Sequence, residues 1–404
     1  MTYTVLNIVI WVIRFMDKWL FFGEVKNKVD EYYLFDSNNK EKWIKSINDI
    51  QINMSGIVDI KNTMKDLLIS LGDAHTGLFL KKKINYIFDI DCRWVDDDLV
   101  VMPNINGYKS NIIGGKIVRI NDESLCELLD RYNCKYEGYP KSIIKSCIIE
   151  DLKSGFDLNE DICIEVDTVT GNVNELLTRI SLQDITANML SKSSRLLNGI
   201  STVMFDKRDN GVLVIKILTF RVHGILDIML KNKELISQSK VIVFDVRDNN
   251  GGFVNETKQL VSAIVSRDVN LDYRILSRSS LCDKYESIVS HQNEMFRDKQ
   301  FFIICNENTM SSAEFVFIGG LRAGVPGIKI VGRKTAGFSG QAKTFVLNTG
   351  DVLQLTTKRY VGVTGMELSD GYSPDIVVNY SIDDVVNNKD KDMEIIQTIC
   401  SNER

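Results

Sequence analysis

The stretch Phe301 to Glu314, FFIICNENTMSSAE, holds the side chains best arranged for chemistry. Phe301 to Cys305 are apolar, β-prone and long enough for a buried strand, and a polar turn follows from Asn306 to Met310. Ser311-Ser312-Ala313-Glu314 then opens a helical pattern that reaches Arg322. Strand, sharp turn, small hydroxyl residue and helix is the geometry that presents a nucleophilic serine. The helix N-terminus there supplies free N–H groups for a developing oxyanion. Serine at a helix start also serves as a plain N-cap, so this stretch alone leaves both readings open.

A serine nucleophile needs a base within hydrogen-bond reach and a third group to orient that base. The histidines are His75, His223 and His291. His75 lies in Asp73-Ala74-His75-Thr76-Gly77, directly after a helical stretch, with hydrogen-bond partners on either side. Taken alone it reads as a satisfied turn residue. Further on, Arg247-Asp248-Asn249-Asn250-Gly251-Gly252 joins an apolar strand to a helix. Paired glycines let the backbone approach a ligand with its N–H groups forward, as a phosphate loop or an oxyanion hole requires. No GxGxxG or GxxxxGK[ST] accompanies them, so a nucleotide site has little support.

The elements that must position these residues follow from periodicity. Residues 1 to about 72 read as helical. Ile57, Ile60, Met64, Leu67, Leu68 and Leu71 recur at spacings of three and four, a buried helix face closed by Gly72. From about 84 to 185 short strands are expected at 86–90, 99–102 and 116–120. The same block offers a helix capped by Asn121-Asp122, a second helix over 140–153, and a hairpin of 162–166 with 177–180. From about 200 onward strands and helices alternate, which argues for α/β layers. Strands are expected at 212–217 and 240–246, and helices at 223–236 and 254–265. Residues 325–378 are rich in strands and glycine turns and end on Gly371-Tyr372-Ser373-Pro374-Asp375. A short helical tail over 382–400 closes the chain.

At 404 residues, 44% hydrophobic and 25% charged, the chain has the make-up of a globular protein of roughly two to three domains. A net charge of -5 argues against nucleic acid as a partner. Tyr3 to Ile13 is apolar, but it lacks a basic flank and a cleavage site and is too short to span a bilayer. A helix packed on the body is expected there, with no stable membrane insertion. Eight cysteines without a CxxC pair read as reduced thiols of a cytoplasmic protein. No HExxH or Cys/His cluster is present, so neither metal nor cofactor is expected.

DVRDNNGG (245–252), NTMSSAE (308–314), VGRKTAG (331–337) and GYSPDIVV (371–378), with LGDAHTG (71–77) before them, resemble the tail-specific, or carboxyl-terminal processing, protease family in order and spacing. The resemblance covers at least residues 200 to 380. It implies α/β (α+β) layers with a crotonase-like β/α core, an N-terminal helical subdomain over 1-83, a small α+β insert over 84-195 and a protease core over 196-404. The insert is PDZ-like or degenerate: IIGGKIVRINDESL (112–125) resembles a PDZ core, but no GLGF-type loop precedes it.

The resemblance puts the nucleophile at Ser311, with Ser312 the alternative under a one-residue slip. The N–H of Ser312 and the Gly251-Gly252 backbone are the oxyanion donors it implies. Many members carry a base lysine in T-x-G-K; here Phe338 follows Thr335-Ala336-Gly337, and neither Lys334 nor Lys343 matches. The branch typified by the tricorn core peptidase uses a histidine in an (S/G)-H-T turn, which is similar to the turn of His75. That branch also uses a glutamate before G-x-x-P-D, here Glu367, with Asp370 as the fallback. Ala74 replaces the serine expected before the histidine, so the relay to His75 is direct, water-mediated or taken over by Asp73. The implied function is a serine endopeptidase acting on peptides or unstructured proteins, near C-termini in many relatives. Two alternatives stay open: an inactive member that binds a peptide or apolar ligand, and a crotonase-like acyl-thioester enzyme, which leaves the SSAE, GYSPD and DAHTG motifs unexplained. Nothing in the sequence indicates an oligomeric state.

Overall fold

Alternating strands and helices after residue 200 build one six-stranded sheet. Val203–Lys207, Val212–Ile217, Val241–Asp245, Gln300–Cys305, Lys329–Gly332 and Ile376–Val377 lie side by side in chain order. The first pair is antiparallel and the others are parallel. Every residue of Val241–Asp245 is buried, as the apolar run requires of a strand covered on both faces. One face packs on the helix Val254–Ile264 and on the helical segment after Ser311, through Leu260, Val261, Phe315, Phe317 and Leu321. The other packs on the helix Lys391–Asn402 through Met393 and Ile396. The computed structural model describes residues 2–81, 86–103, 111–156, 161–181, 202–278, 280, 282, 284–364 and 366–402, without the side chains of 2–15.

The expected crotonase-like β/α core is not the architecture formed. Between Lys329–Gly332 and Ile376–Val377 the chain leaves the main sheet and builds a separate antiparallel one. Val352–Gly362 is its centre, paired with Gln341–Val346, with Tyr273–Ser277 and with the early strand Gly77–Phe79. Gly77 lies opposite Gln354, so strand pairing fixes the turn containing His75 against the core.

The N-terminal helices Thr2–Tyr32, Ser37–Ile52 and Ile60–Ile69 share a hydrophobic cluster with Leu347, Leu353 and Leu355 of that second sheet. Among the described residues no helix is long and apolar enough to cross a membrane. In the middle block Cys92–Val95, Asp98–Val101, Lys116–Ile120, Cys163–Thr168 and Gly171–Leu176 form a sheet covered by Leu125–Lys135 and Lys141–Ser154. Two local expectations fail there. The helix cap is Ser124, in a capping box with Glu127, because Asn121 turns at φ +52 and gives its side chain to the Cys163 N–H. The hairpin partner of Cys163–Thr168 is Gly171–Leu176, and Arg179–Ser181 pairs with Tyr86–Phe88 instead.

Candidate active site

Two turns meet at the carboxyl ends of the adjacent parallel strands Val241–Asp245 and Gln300–Cys305, where open α/β sheets place ligands. They are stitched together by polar groups. Asp248 turns at φ +61, and its carboxylate accepts from the side-chain amides of Asn306 and Asn308, 2.8 and 2.9 Å away. The Met310 N–H donates to Asn249 O at 3.0 Å, and the Thr309 hydroxyl to Val246 O at 2.7 Å. Buried Asn249 donates its own amide to Ile217 O and accepts the Gly251 N–H.

Ser311 sits at the apex with φ +57, a left-handed conformation rare for a residue with a Cβ and found where surrounding structure enforces it. A short π-helix, Ala313–Ile318, follows and runs into the α-helix Gly319–Gly324, in place of the single α-helix expected. Such widened turns cluster at functional sites. Ser311 is half-buried. Ser312 has ordinary helical φ, and its hydroxyl is buried without a hydrogen-bond partner. Gly251 turns at φ +76 against this apex: a Cβ built on it would lie 2.8 Å from Ser311 Cβ and 2.9 Å from Ser312 N. Gly252, at φ +148, abuts Phe220 and Arg221. Among the described residues the N–H groups of Ser312 and Gly252 donate to no protein acceptor, whereas that of Gly251 is held by Asn249. The free Ser312 N–H next to a half-buried hydroxyl can receive an oxyanion, and the Gly252 N–H lies one residue past the glycine that meets this apex.

Glu314 is fully buried and receives three backbone N–H groups. Oε1 takes those of Ser311 (3.1 Å) and Phe338 (2.6 Å), and Oε2 takes that of Gly337 (2.9 Å). Burial pushes its carboxyl up to about 7, against the pull of Thr335 and these N–H groups. Glu314 entered the sequence reading only as a motif landmark; its burial and aim depend on the π-turn, which periodicity does not reveal.

His75 is buried, and its ring lies flat on Phe338, centroids 3.5 Å apart and planes 7° apart. Burial lowers its pKa to about 4; the Asp73 charge opposes this and the Arg221 charge adds to it. Asp73 holds the backbone of the turn, accepting the His75 N–H at 3.0 Å and the Thr356 hydroxyl at 3.0 Å. Among the described residues no hydrogen bond joins the His75 ring to the Ser311 hydroxyl. The two are linked through Phe338 and the Glu314 carboxylate.

Glu367 is exposed, and its carboxylate bonds Arg359 Nη1 at 3.0 Å. Arg359 also approaches Asp73 (3.9 Å), Asp36 (3.6 Å) and the Tyr33 hydroxyl (3.3 Å). Glu367 thus reaches the His75 turn through Arg359 and Asp73. Asp370 pairs with Lys334, and Lys343 lies over the rings of Tyr32 and Phe345. His223 is exposed, 2.8 Å from Glu256 and stacked on Phe253, and His291 contacts the Ser262 hydroxyl.

An elbow serine, paired free N–H groups and a buried histidine on one side of an α/β sheet define the class of serine hydrolases. The particular fold is that of the S41 carboxyl-terminal processing serine proteases. The description "Peptidase family S41" matches residues 211–378. Mature CPAF complexed with lactacystin has a TM-score of 0.69 to this chain at 14% identity, covering 96% of this chain and 98% of that one. The photosystem II D1 C-terminal processing protease gives 0.53 at 17%, covering 90% and 93%. Mature CPAF alone gives 0.69 at 13%, covering 96% of each chain. No curated protein sequence matches the chain. These likenesses put the architecture with the processing proteases and not with crotonase-like enzymes, and residues 211–378 match peptidase family S41, a family of serine-type endopeptidases that hydrolyse peptide substrates.

Proposed function

We propose that Ser311 is the nucleophile of this peptidase and His75 its general base, as in the histidine-dependent, tricorn-like branch. The observation that carries the reading is the apex at Ser311, held left-handed and facing the Gly251-Gly252 turn. His75 takes the Ser311 proton as the hydroxyl attacks the peptide carbonyl. The oxyanion rests on the N–H groups of Ser312 and Gly252, with Gly251 packed close enough to shape the hole. Protonated His75 then gives its proton to the leaving amine, and water releases the acyl-enzyme. The Ser311–His75 hydrogen bond closes when substrate is bound, as catalytic hydrogen bonds commonly tighten in the complex. Glu367 acts on the imidazolium through Arg359 and Asp73.

The substrate class we infer is an unstructured protein segment, with the block 84-195 as a PDZ-like or family-specific module beside the 196-404 core and the 1-83 helices. A cytoplasmic location fits the cysteine usage. Labelling intact protein with a fluorophosphonate, read by peptide mass spectrometry, tests the assignment. An adduct on Ser311 that is lost in His75→Ala is expected. An adduct elsewhere, or a Ser311→Ala variant with undiminished activity, would sink it.

A further inference from the structure

We infer that Phe338 is the positioning residue that holds the His75 imidazole in its working orientation, a role that hydrolases of this kind usually give to a hydrogen-bonded carboxylate. The inference rests on the reading of His75 as the base. Its ground is the way the ring is held. Among the described residues no carboxylate bonds either ring nitrogen: Asp73 is spent on the His75 N–H and the Thr356 hydroxyl, and Glu367 on Arg359. What fixes the imidazole plane is the flush stack on Phe338.

That stack is a particular choice of geometry. Two neutral rings favour an offset or edge-on approach over a full face-to-face sandwich. A cation over the face of a phenyl ring, by contrast, is attracted by the ring quadrupole. The π face therefore offers the imidazolium that forms in the transition state an attraction of its own. The same face shuts water away from one side of the imidazole, and this burial, the largest cause of the lowered pKa, outweighs that attraction and keeps the resting ring free of a proton at neutral pH. The charged and titratable groups around the ring are Asp73 from its own turn and Arg221 from the segment beside Gly252, with Tyr139 bonding the neighbouring Thr76 carbonyl.

The platform is tied to the nucleophile. The Phe338 N–H and the Ser311 N–H share Glu314 Oε1, and the Gly337 N–H takes Oε2. Gly337 turns at φ +76 against the backbone of Ser369 and Gly371, and the Gly340 Cβ position lies 3.8 Å from His75 Nδ1. Phe338 and Gly340 thus lie near the ring while one buried carboxylate ties the backbone of Gly337 and Phe338 to that of Ser311.

The experiment combines kinetics with histidine NMR on the full-length chain, comparing Phe338→Ala, Phe338→Leu and Phe338→Tyr. His223 and His291 serve as internal references. In Phe338→Ala the His75 pKa rises from about 4 toward 6.5, the references stay still, and the acid limb of kcat/KM moves up with it. kcat falls about tenfold or more with KM little changed, as expected when a base loses its orientation. Phe338→Leu, which keeps bulk without a π face, falls with the alanine variant, and Phe338→Tyr keeps wild-type behaviour. A folded Phe338→Leu with wild-type kcat overturns the inference, as does a Phe338→Tyr no better than the alanine variant. If His75→Ala retains full activity, the reading of His75 as base fails. The NMR titration then still reports whether Phe338 holds the ring.

Discussion

Gly251 shows at a single atom how the elbow works. A methyl group there would meet Ser311 Cβ, Ser312 N and Met310 O at 2.8 to 2.9 Å, on a backbone at φ +76. Gly251→Ala should therefore fold with a displaced apex and lose about a hundredfold or more in kcat, the scale of a lost oxyanion donor. Steady-state kinetics beside a circular dichroism spectrum checks this. Glu314 supplies a second prediction. Its carboxyl ionises near pH 7, and the ionised form accepts the Ser311, Gly337 and Phe338 N–H groups better than the neutral acid. Activity should rise with pH through about 7 and lose that step in Glu314→Gln. Stability runs the other way. The folded pKa lies above the ordinary 4.5, so this group's contribution is full below 4.5 and is lost as pH rises through about 7. Urea unfolding at pH 5 and pH 8 should show Glu314→Gln gaining on wild type at the higher pH; an equal difference at both would refute the assignment. Ser311, His75 and the glycine pair could be singled out in the sequence only together, through motifs whose order and spacing resemble a family, since His75 taken alone reads as a turn residue. The work of Glu314 could not, since a carboxylate gives no sign of being buried until its surroundings fold.

At the scale of elements, two turns are locked together by side-chain amides. Asn249 is the keystone: fully buried, it satisfies Ile217 O with one end and the Gly251 N–H with the other. Asn249→Ala would leave both backbone groups unpaired, a loss of about 2 kcal/mol or more for two buried orphans. It would also free the Gly251 N–H and loosen the hole, so activity should fall in the fraction that stays folded. A urea midpoint unchanged from wild type would show that water replaces the amide. Strands such as Val212–Ile217 were legible because unbroken apolar runs between turn residues leave little choice. The strand Tyr273–Ser277 and the full length of Val352–Gly362 were not, because their order comes from pairing with each other and with Gly77–Phe79, far away in sequence. The π-turn escaped for a related reason. Apart from Glu314, AEFVFI is an unbroken apolar run, so its pattern cannot distinguish five-residue from four-residue closure.

Across the whole molecule, the part that binds distant segments into one site is Arg359. It projects from the second sheet into a nearly closed space, 9% exposed. There it meets Tyr33 and Asp36 from the link between the first two helices, Asp73 from the His75 turn, and Glu367 from the loop before the Gly-Tyr-Ser-Pro-Asp motif. Sequence motifs point to Glu367 but not to Arg359, the residue its carboxylate bonds, because an arginine in a strand carries no motif of its own. Two variants separate the contributions. Arg359→Met removes the 3.9 Å contact to Asp73, which keeps its hydrogen bonds from the His75 N–H and the Thr356 hydroxyl, and should cost about 1–2 kcal/mol. Glu367 and Asp36 are screened by solvent and add little to that figure. Glu367→Gln should leave stability near wild type and lower kcat by less than about tenfold, because its charge reaches His75 only at second hand. In the double variant the kinetic effect of Glu367→Gln should vanish, since the link it uses is already gone. If Glu367→Gln instead costs as much rate as His75→Ala, with or without Arg359, then Glu367 swings onto the imidazole when substrate binds, and the route through Arg359 is wrong.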